Sequence, residues 1–214
     1  MERDQERKHM VAEQLIPRGI KDPLVLEAML TVPRHYFVPL ELQKYAYDDN
    51  PLPIGEKQTI SQPFIVALMT EFVRAHKDAK ALEIGTGSGY AAAILAHICK
   101  SVVTIERLPQ LAATAQKKLL DLGFTNITFK VGDGSVGVAE HAPYDCILVT
   151  AGAPVVPENL KLQLAIGGTL VIPVGGTVSQ ELKRIKRISE DTFSEEKLEG
   201  VRFVPLIGEE GWRK

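Results

Sequence analysis

The sequence predicts a doubly wound α/β fold: a mostly parallel sheet covered on both faces, with a helical extension at the N-terminus. Three observations predict it. From residue 79 to 175 short apolar or β-branched runs alternate with helical runs, and strands joined through helices lie parallel, with the helices packed on the sheet. The first of those strands runs straight into three glycines at alternate positions, in "EIGTGSG" from Glu83 to Gly89. The preceding 78 residues carry helical patterns and no clear strand. At 214 residues and 45% hydrophobic, the chain can bury one full core. It reads as a single domain with three parts: a helical region over 1–78, a βαβ core over 79–175 and a closing pair of strands over 176–214.

The elements follow in order. Residues 3–17 and 23–32 read as helices; in the second, Val25, Met29 and Val32 recur at spacings of four and three, and Pro33 ends the pattern. Residues 39–58 hold Pro39, Pro51, Pro53 and Gly55 and read as loop. A helix over 61–75 starts at Pro63, with Ser61 or Gln62 ahead of it. Strands are expected at 79–85, 101–106, 127–133, 144–151 and 169–175. The intervening helices are expected at 90–99, at 109–123 with Gly123 as its stop, and at 157–168 with a glycine stop. The tail reads as two more strands, "ELKRIKRISED" and "GVRFVPLIG", joined by an acidic turn.

Composition narrows the function. A net charge of -2 with 24% charged residues gives no global basic field for nucleic acid or an anionic membrane. No apolar run reaches the roughly 18 residues of a membrane span, and "MERDQERKHM" lacks the apolar stretch of a signal peptide. Cys99 and Cys146 lie far apart in apolar segments and read as buried free thiols. The expected location is the cytoplasm, without membrane or nucleic-acid partners.

The glycine loop, 85–90, sits at the carboxyl end of the first strand of the series, where open α/β sheets bind ligands. Glycines there let a backbone approach a ligand that a Cβ would block; a tight turn without a ligand is the alternative. A dinucleotide site wants G-x-G-x-x-G/A, and Tyr90 stands at the third position here. A P-loop wants Lys then Ser or Thr after the last glycine, and neither is present. Glu106 closes the next strand, about twenty residues on, where a carboxylate accepts from ribose hydroxyls. Asp133 closes the one after, in "GDG", placed to accept from an exocyclic adenine amine. Arg107 follows Glu106 and faces either ligand or solvent. Together these suit an adenosine whose attached group is not a polyphosphate.

"EIGTGSG", followed by Glu106 and Asp133 on successive strand ends, resembles the class I S-adenosylmethionine-dependent methyltransferases, whose sheet is Rossmann-like. Within that class several acceptors are disfavoured. No proline precedes either cysteine, as a cytosine-C5 enzyme needs. "TAGAP" stands where an amino-group enzyme would carry Asn/Asp-Pro-Pro-aromatic. The histidines at 9, 35, 76, 97 and 141 form no ligand-spaced cluster, so no metal site is expected. A carboxylate acceptor needs no deprotonation: with a pKa of about 4 it is anionic at neutral pH.

A closer resemblance covers nearly the whole chain. "VPRHYFVP", "PLPIGEKQTISQP", "LEIGTGSGYAAAILA", "VVTIERLPQLA", "GDGSVG", "APYDCILVTAGAPVVPENLKLQLAIGGTLVIPVG" and "VRFVPL" occur in this order. Together they resemble the protein-L-isoaspartate O-methyltransferases. The resemblance implies methyl transfer from S-adenosylmethionine to the α-carboxylate of L-isoaspartyl residues in damaged proteins. The ester then closes to a succinimide that partly reopens as aspartate. It implies Ser61 as the residue that hydrogen-bonds the substrate carboxylate. It implies cofactor contacts at Glu83, Gly85, Thr86, Gly87, Gly89 and Arg107, with Glu106 at the ribose and Asp133 and Gly134 at the adenine. Thr59 and Ile60 would close over the cofactor, and Arg202, Val204 and Pro205 would lie along the substrate peptide, by strand pairing. The sequence departs from some members at Phe64, Ile65 and Val66, where those carry His-Met-His, and at the closing "IGEEGWRK".

Other readings remain. On residues alone Ser61 reads first as a helix cap accepting from Phe64, since Pro63 has no N–H. A small-molecule carboxyl or hydroxyl methyltransferase would share the fold. A binding module would use "KRIKR", 183–187, against RNA. The chain is read as a monomer.

Overall fold

The computed structural model describes residues 3–213. Two helices, α1 (Asp4–Met10) and α2 (Pro23–Thr31), precede a short hairpin of β1 (Leu52–Gly55) and β2 (Gln58–Ile60) and then α3 (Pro63–Phe72). The alternating part follows: β3 (Lys80–Ile84), α4 (Tyr90–Ile98), β4 (Ser101–Glu106), α5 (Pro109–Asp121), β5 (Ile127–Val131), β6 (Tyr144–Val149), α6 (Glu158–Leu162) and β7 (Leu164–Gly175). β8 (Gln180–Arg187) and β9 (Phe193–Val201) complete the strands. Among the described residues, β3 to β9 form one sheet in the order β5-β4-β3-β6-β7-β8-β9. The first five pair in parallel; β8 and β9 fold back antiparallel.

Strand order reverses between β3 and β6. Ile84 pairs with Ile105 on one side and Val149 on the other, so Gly85, Glu106 and Thr150 emerge together at the crevice where such sheets bind ligands. Both faces of the inner strands are buried, with side chains alternating between them. Leu82, Ile84, Ile147 and Val149 join one cluster. Ala81, Cys146 and Leu148 join the other, where Met10, Leu15, Val25 and Met29 of the N-terminal region pack with α3 and α4. The extension therefore forms part of the main core.

Four segments differ from expectation. After Met10 the first helix widens into a π turn (Val11–Leu15) and tightens into a 3-10 turn (Ile16–Arg18), which Gly19 ends at φ +97°. Residues 39–58 are not all loop. They contain a 3-10 turn (Leu40–Tyr45) and β1, whose Pro53 is tolerated because the two-stranded hairpin has open edges. The helix expected over 157–168 is only α6; the chain enters β7 at Leu164, and Gly167 and Gly168 form a bulge rather than a stop. A Cβ on Gly168 would lie 2.8 Å from the Tyr144 carbonyl. Lastly, the second tail strand is the acidic β9 rather than "GVRFVPLIG". Its glutamates face the basic residues of β8, with Lys183–Glu195 at 2.6 Å and an Arg184–Glu196 pair. Cross-strand charge complementarity makes a strand of what composition suggests is a turn.

Candidate active site

β3 is buried along most of its length because it lies inside the sheet between β4 and β6, and it delivers Glu83 and the glycine loop together. Glu83 is fully buried. Its Oε2 accepts from the Thr104 hydroxyl at 2.5 Å, Thr104 in turn lies 2.6 Å from the Thr86 hydroxyl, and Oε1 has no partner. Burial pushes the carboxyl up to about 8, with nearby Glu106 adding to the effect and the Thr104 hydrogen bond opposing it. Thr86 thus spends its hydroxyl on this chain. An orphaned carboxylate oxygen against the glycine loop suits a cationic group.

Gly85 has φ +93°, and a Cβ there would lie 2.5 Å from the Thr150 hydroxyl oxygen. That hydroxyl is itself fixed between the carbonyls of Ile84 and Gly85, at 3.0 and 2.7 Å. Gly87, at φ +52°, donates its N–H to Glu106 Oε2 at 2.9 Å, and Leu108 N–H reaches Oε1 at 3.0 Å. Glu106 therefore stitches the glycine loop to the end of β4 and keeps lone pairs for a ligand. Gly89 lies against α5, where a Cβ would meet Leu119 at 3.1 Å, so its bareness serves packing.

Two cavities flank this loop. One is lined by Glu106, Arg107, Gly134, Pro205, Leu206 and Ile207, together with Gly85 and Gly87. The other is lined by Ile60, Ser61, Glu83, Thr86, Ser88 and Tyr90, again with Gly85 and Gly87. Beyond them lies a groove of about 810 Å³, lined by Arg18, Ser61, Gln62, Phe64, Gln180 and Arg202 among others. Thr59 and Thr150 line all three spaces, and Ser61 lines the groove and the second cavity. The three spaces thus meet at a neck formed by these residues.

Ser61 does not cap α3. Gln62 is the N-cap residue and makes no side-chain cap bond. Asp49, thirteen residues upstream of Gln62, takes that duty: its Oδ1 accepts from Phe64 N–H at 2.9 Å, and Oδ2 accepts from the Gln62 side chain at 3.3 Å and pairs with Arg18. The Ser61 hydroxyl has no hydrogen-bond partner among the described residues and is half-buried at the neck.

Asp133 is placed differently from Gly134. Gly134 lines the first cavity, but the Asp133 carboxylate turns to the C-terminal segment. Its Oδ2 accepts from Glu209 N–H at 2.7 Å, and Oδ1 accepts from Ser135 N–H at 2.8 Å and Ser135 Oγ at 2.7 Å. Burial would raise this carboxyl, but those donors hold it below the usual carboxylate range. Glu210 N–H reaches Ser135 Oγ at 3.0 Å, and Trp212 Nε1 donates to the Gly152 carbonyl at 3.0 Å. The tail that departs from some relatives therefore forms the outer wall of this cavity through Leu206 and Ile207.

Residues 202–206 line the groove and the first cavity without joining the sheet. Phe203 N–H donates to Gln180 Oε1 at 2.8 Å, while Val204 and Leu206 exchange backbone bonds with Gly152, both at 2.8 Å. Part of the backbone expected to pair with a peptide is thus already engaged. Sequence reasoning missed Asp49, Gln180 and Arg18, which stand in no local motif that points to a site, and Thr150, which opens "TAGAP" but gives no sign there of the spaces it lines. The basic stretch is largely neutralised: Lys183 and Arg184 pair with β9, and Arg187 binds the carbonyls of Leu162 and Leu164 at 2.9 and 2.7 Å.

Residues 5–211 match the family model of protein-L-isoaspartate(D-aspartate) O-methyltransferase. The chain belongs to this family. A protein-L-isoaspartate O-methyltransferase of Syntrophotalea carbinolica is 54% identical over 208 residues, 97% of this chain and 96% of the relative. One from Trichlorobacter lovleyi is 55% identical over 207 residues, 97% and 95% of the two chains. Among solved structures, a protein-L-isoaspartate O-methyltransferase superposes with a TM-score of 0.84 at 32% identity, covering 96% of this chain and 67% of that one. A Plasmodium falciparum protein assigned to the same family, solved in complex with S-adenosyl-L-homocysteine, gives 0.80 at 25% identity over 95% and 97%. The activity of this chain, as a member of the family, is methyl transfer to isoaspartyl residues, the opening step of protein repair. No helix among the described residues is long and apolar enough to cross a membrane.

Proposed function

We propose that the groove takes an isoaspartyl peptide, that the paired cavities take S-adenosylmethionine, and that Ser61 aims the substrate carboxylate through the neck. The observation that carries this reading is the unpartnered Ser61 hydroxyl, which lines both the groove and the glycine-loop cavity while Asp49 caps the helix. The residues fit the cofactor. Gly85 and Gly87 present bare backbone to both cavities, Glu106 is placed for ribose hydroxyls, and the orphaned Glu83 oxygen suits the ammonium of its amino-acid end. Apolar Leu206 and Ile207 wall the nucleoside side, together with Arg107 and Gly134. Asp133 is read as the anchor of that wall.

S-adenosylmethionine supplies a methyl group on a sulfonium, which needs no activation. The chain's own part is placement. Ser61 donates to one carboxylate oxygen and leaves the other facing the neck, where Thr59 and Thr150 narrow the passage. A carboxylate approaching a sulfonium loses charge as the O–C bond forms and the C–S bond breaks. Excluding water therefore favours the transition state over the separated ions. No general base is required, so positioning supplies most of the rate. Arg202 and Val204, on the groove wall, and Pro205, beside the cofactor, are read as the substrate end. Because one chain supplies every wall, we read the enzyme as a single-domain monomer. Its buried free thiols, Cys99 pushed up to about 12 by burial, suit a reducing cytoplasm.

The test is radiolabelled methyl transfer to an isoaspartyl peptide and to its aspartyl twin. Labelling of the first alone is expected; equal labelling of both would overturn the substrate reading.

A further inference from the structure

We infer that Asp49 is a positioning residue for the methyl transfer: by capping α3 from outside, it releases the Ser61 hydroxyl for the substrate. The inference rests on the reading of Ser61 given above. Three observations carry it. Asp49 grips both sides of Pro63, through Phe64 N–H at 2.9 Å and the Gln62 side chain at 3.3 Å, immediately after Ser61. It lines none of the three spaces, so it acts only through what it holds. Its loop is itself anchored. The Arg34 guanidinium, fully buried over the Tyr90 ring at 4.9 Å, donates from Nε to the Ala46 carbonyl at 2.7 Å, and the Gln14 side chain donates to the Tyr47 carbonyl at 2.9 Å.

A helix N-terminus needs an acceptor for its first free N–H groups. In α3 Pro63 has none to offer and Phe64 is the next donor. A serine at position 61 is the nearest local acceptor of the type that caps helices. If it took Phe64 N–H, its hydroxyl would be drawn away from the neck and towards the helix. Asp49 removes that demand with a charged acceptor, which hydrogen-bonds more strongly than a hydroxyl. Arg18, stacked 3.4 Å over the Phe64 ring and paired with Asp49, holds the carboxylate in register from the groove side.

The experiment is a double-mutant cycle on isoaspartyl-peptide methylation, with cofactor affinity measured by calorimetry in parallel. Ser61→Ala alone should lower kcat about tenfold or more. Asp49→Ala should lower kcat by a similar factor with cofactor Kd within about twofold. Adding Ser61→Ala to Asp49→Ala should cost less than about threefold further, because residues that act as a unit are not additive. Asp49→Asn, which keeps an oxygen for Phe64 N–H, should stay within about fivefold of the parent. Should Asp49→Ala melt below the assay temperature, Asp49→Ser takes its place, since its shorter side chain falls short of that N–H. Losses that multiply in full, an Asn variant as slow as the Ala variant, or a parallel fall in cofactor affinity would each overturn the positioning role alone. An unchanged rate for Ser61→Ala would overturn the Ser61 reading and this inference with it.

Discussion

On the glycine-loop side, the two cavities share a floor from two short runs: Glu83 to Ser88 at the end of β3, and Glu106 to Leu108 at the end of β4. On the groove side the lining is scattered, from Arg18 and Pro51 through Thr59, Ser61 and Phe64 to Thr150, Gln180 and the run Glu199 to Val204. The first region is shaped by main chain. Glycine φ values and strand register decide where it runs, and the polar side chains there brace the loop. The second is assembled by single side chains reaching across the fold, Asp49 to Phe64 and Gln180 to Phe203. The cofactor side should therefore fail when a Cβ is added, and the groove side when one polar group is removed.

The harshest way to test that contrast is Gly85→Ala. The new Cβ meets a hydroxyl locked between two carbonyls, on a backbone at φ +93°, so cofactor binding should fall more than about a hundredfold by calorimetry. Affinity within about threefold of the parent would show that side chains, not main chain, shape this half. The counterpart is Ser61→Ala. Losing one hydrogen bond to a charged group costs about 1.5 to 3 kcal/mol, or about ten- to a few hundredfold in kcat, with cofactor Kd unmoved. Parallel losses in rate and cofactor affinity would blur the boundary between the halves.

Glu83→Gln refines the cofactor side. With its carboxyl pushed up from the ordinary 4.5 to about 8, the folded protein keeps a proton there that the unfolded chain releases. That contribution to stability is complete below the unfolded value and fades as pH rises through about 8. Gln cannot ionise, so the melting temperature of the cofactor-free variant should gain on the parent as pH rises from 5 to 9, while cofactor affinity drops. Melting curves that stay parallel across that range would mean Glu83 is not titrating there. The smallest expected effect is none at all. With no general base, the rate on an isoaspartyl peptide should be flat from about pH 6 to 8; a tenfold rise per unit would point to an acceptor that must first lose a proton.

The same contrast explains what could be read from the sequence. β4 and the glycine loop were legible because strand, turn and helix there each carry a local signal, and Glu106 sits one step past a β-branched run. β1 was hidden by Pro51, Pro53 and Gly55, and β9 by glutamates that form a strand only because β8 offers lysine and arginine opposite. Asp49 gave no local sign, since its partner lies fifteen residues on and its loop is held by a buried Arg34. Burial lowers that guanidinium to about 10, and such a desolvated cation leaves no pattern in spacing. Ser61 was ambiguous on its own residues for the same reason: what frees it lies elsewhere in the chain.

The grip on Asp133 bears on how the protein itself ages. Asp133–Gly134 is the chain's only Asp-Gly pair, and it has no Asn-Gly. Such pairs are chemically fragile, because the glycine N–H, unhindered by a side chain, attacks the preceding carboxyl group with loss of water. The attack needs a protonated carboxyl free to swing towards that N–H. Here Glu209 N–H and the Ser135 N–H and hydroxyl keep the group ionised and fixed. Gly134 is buried, and the space where a Cβ would stand is filled by Ile84, 2.6 Å away, so it has little room to turn. The tail that walls the glycine-loop cavity thus also shelters the one bond in this enzyme most prone to the damage it mends.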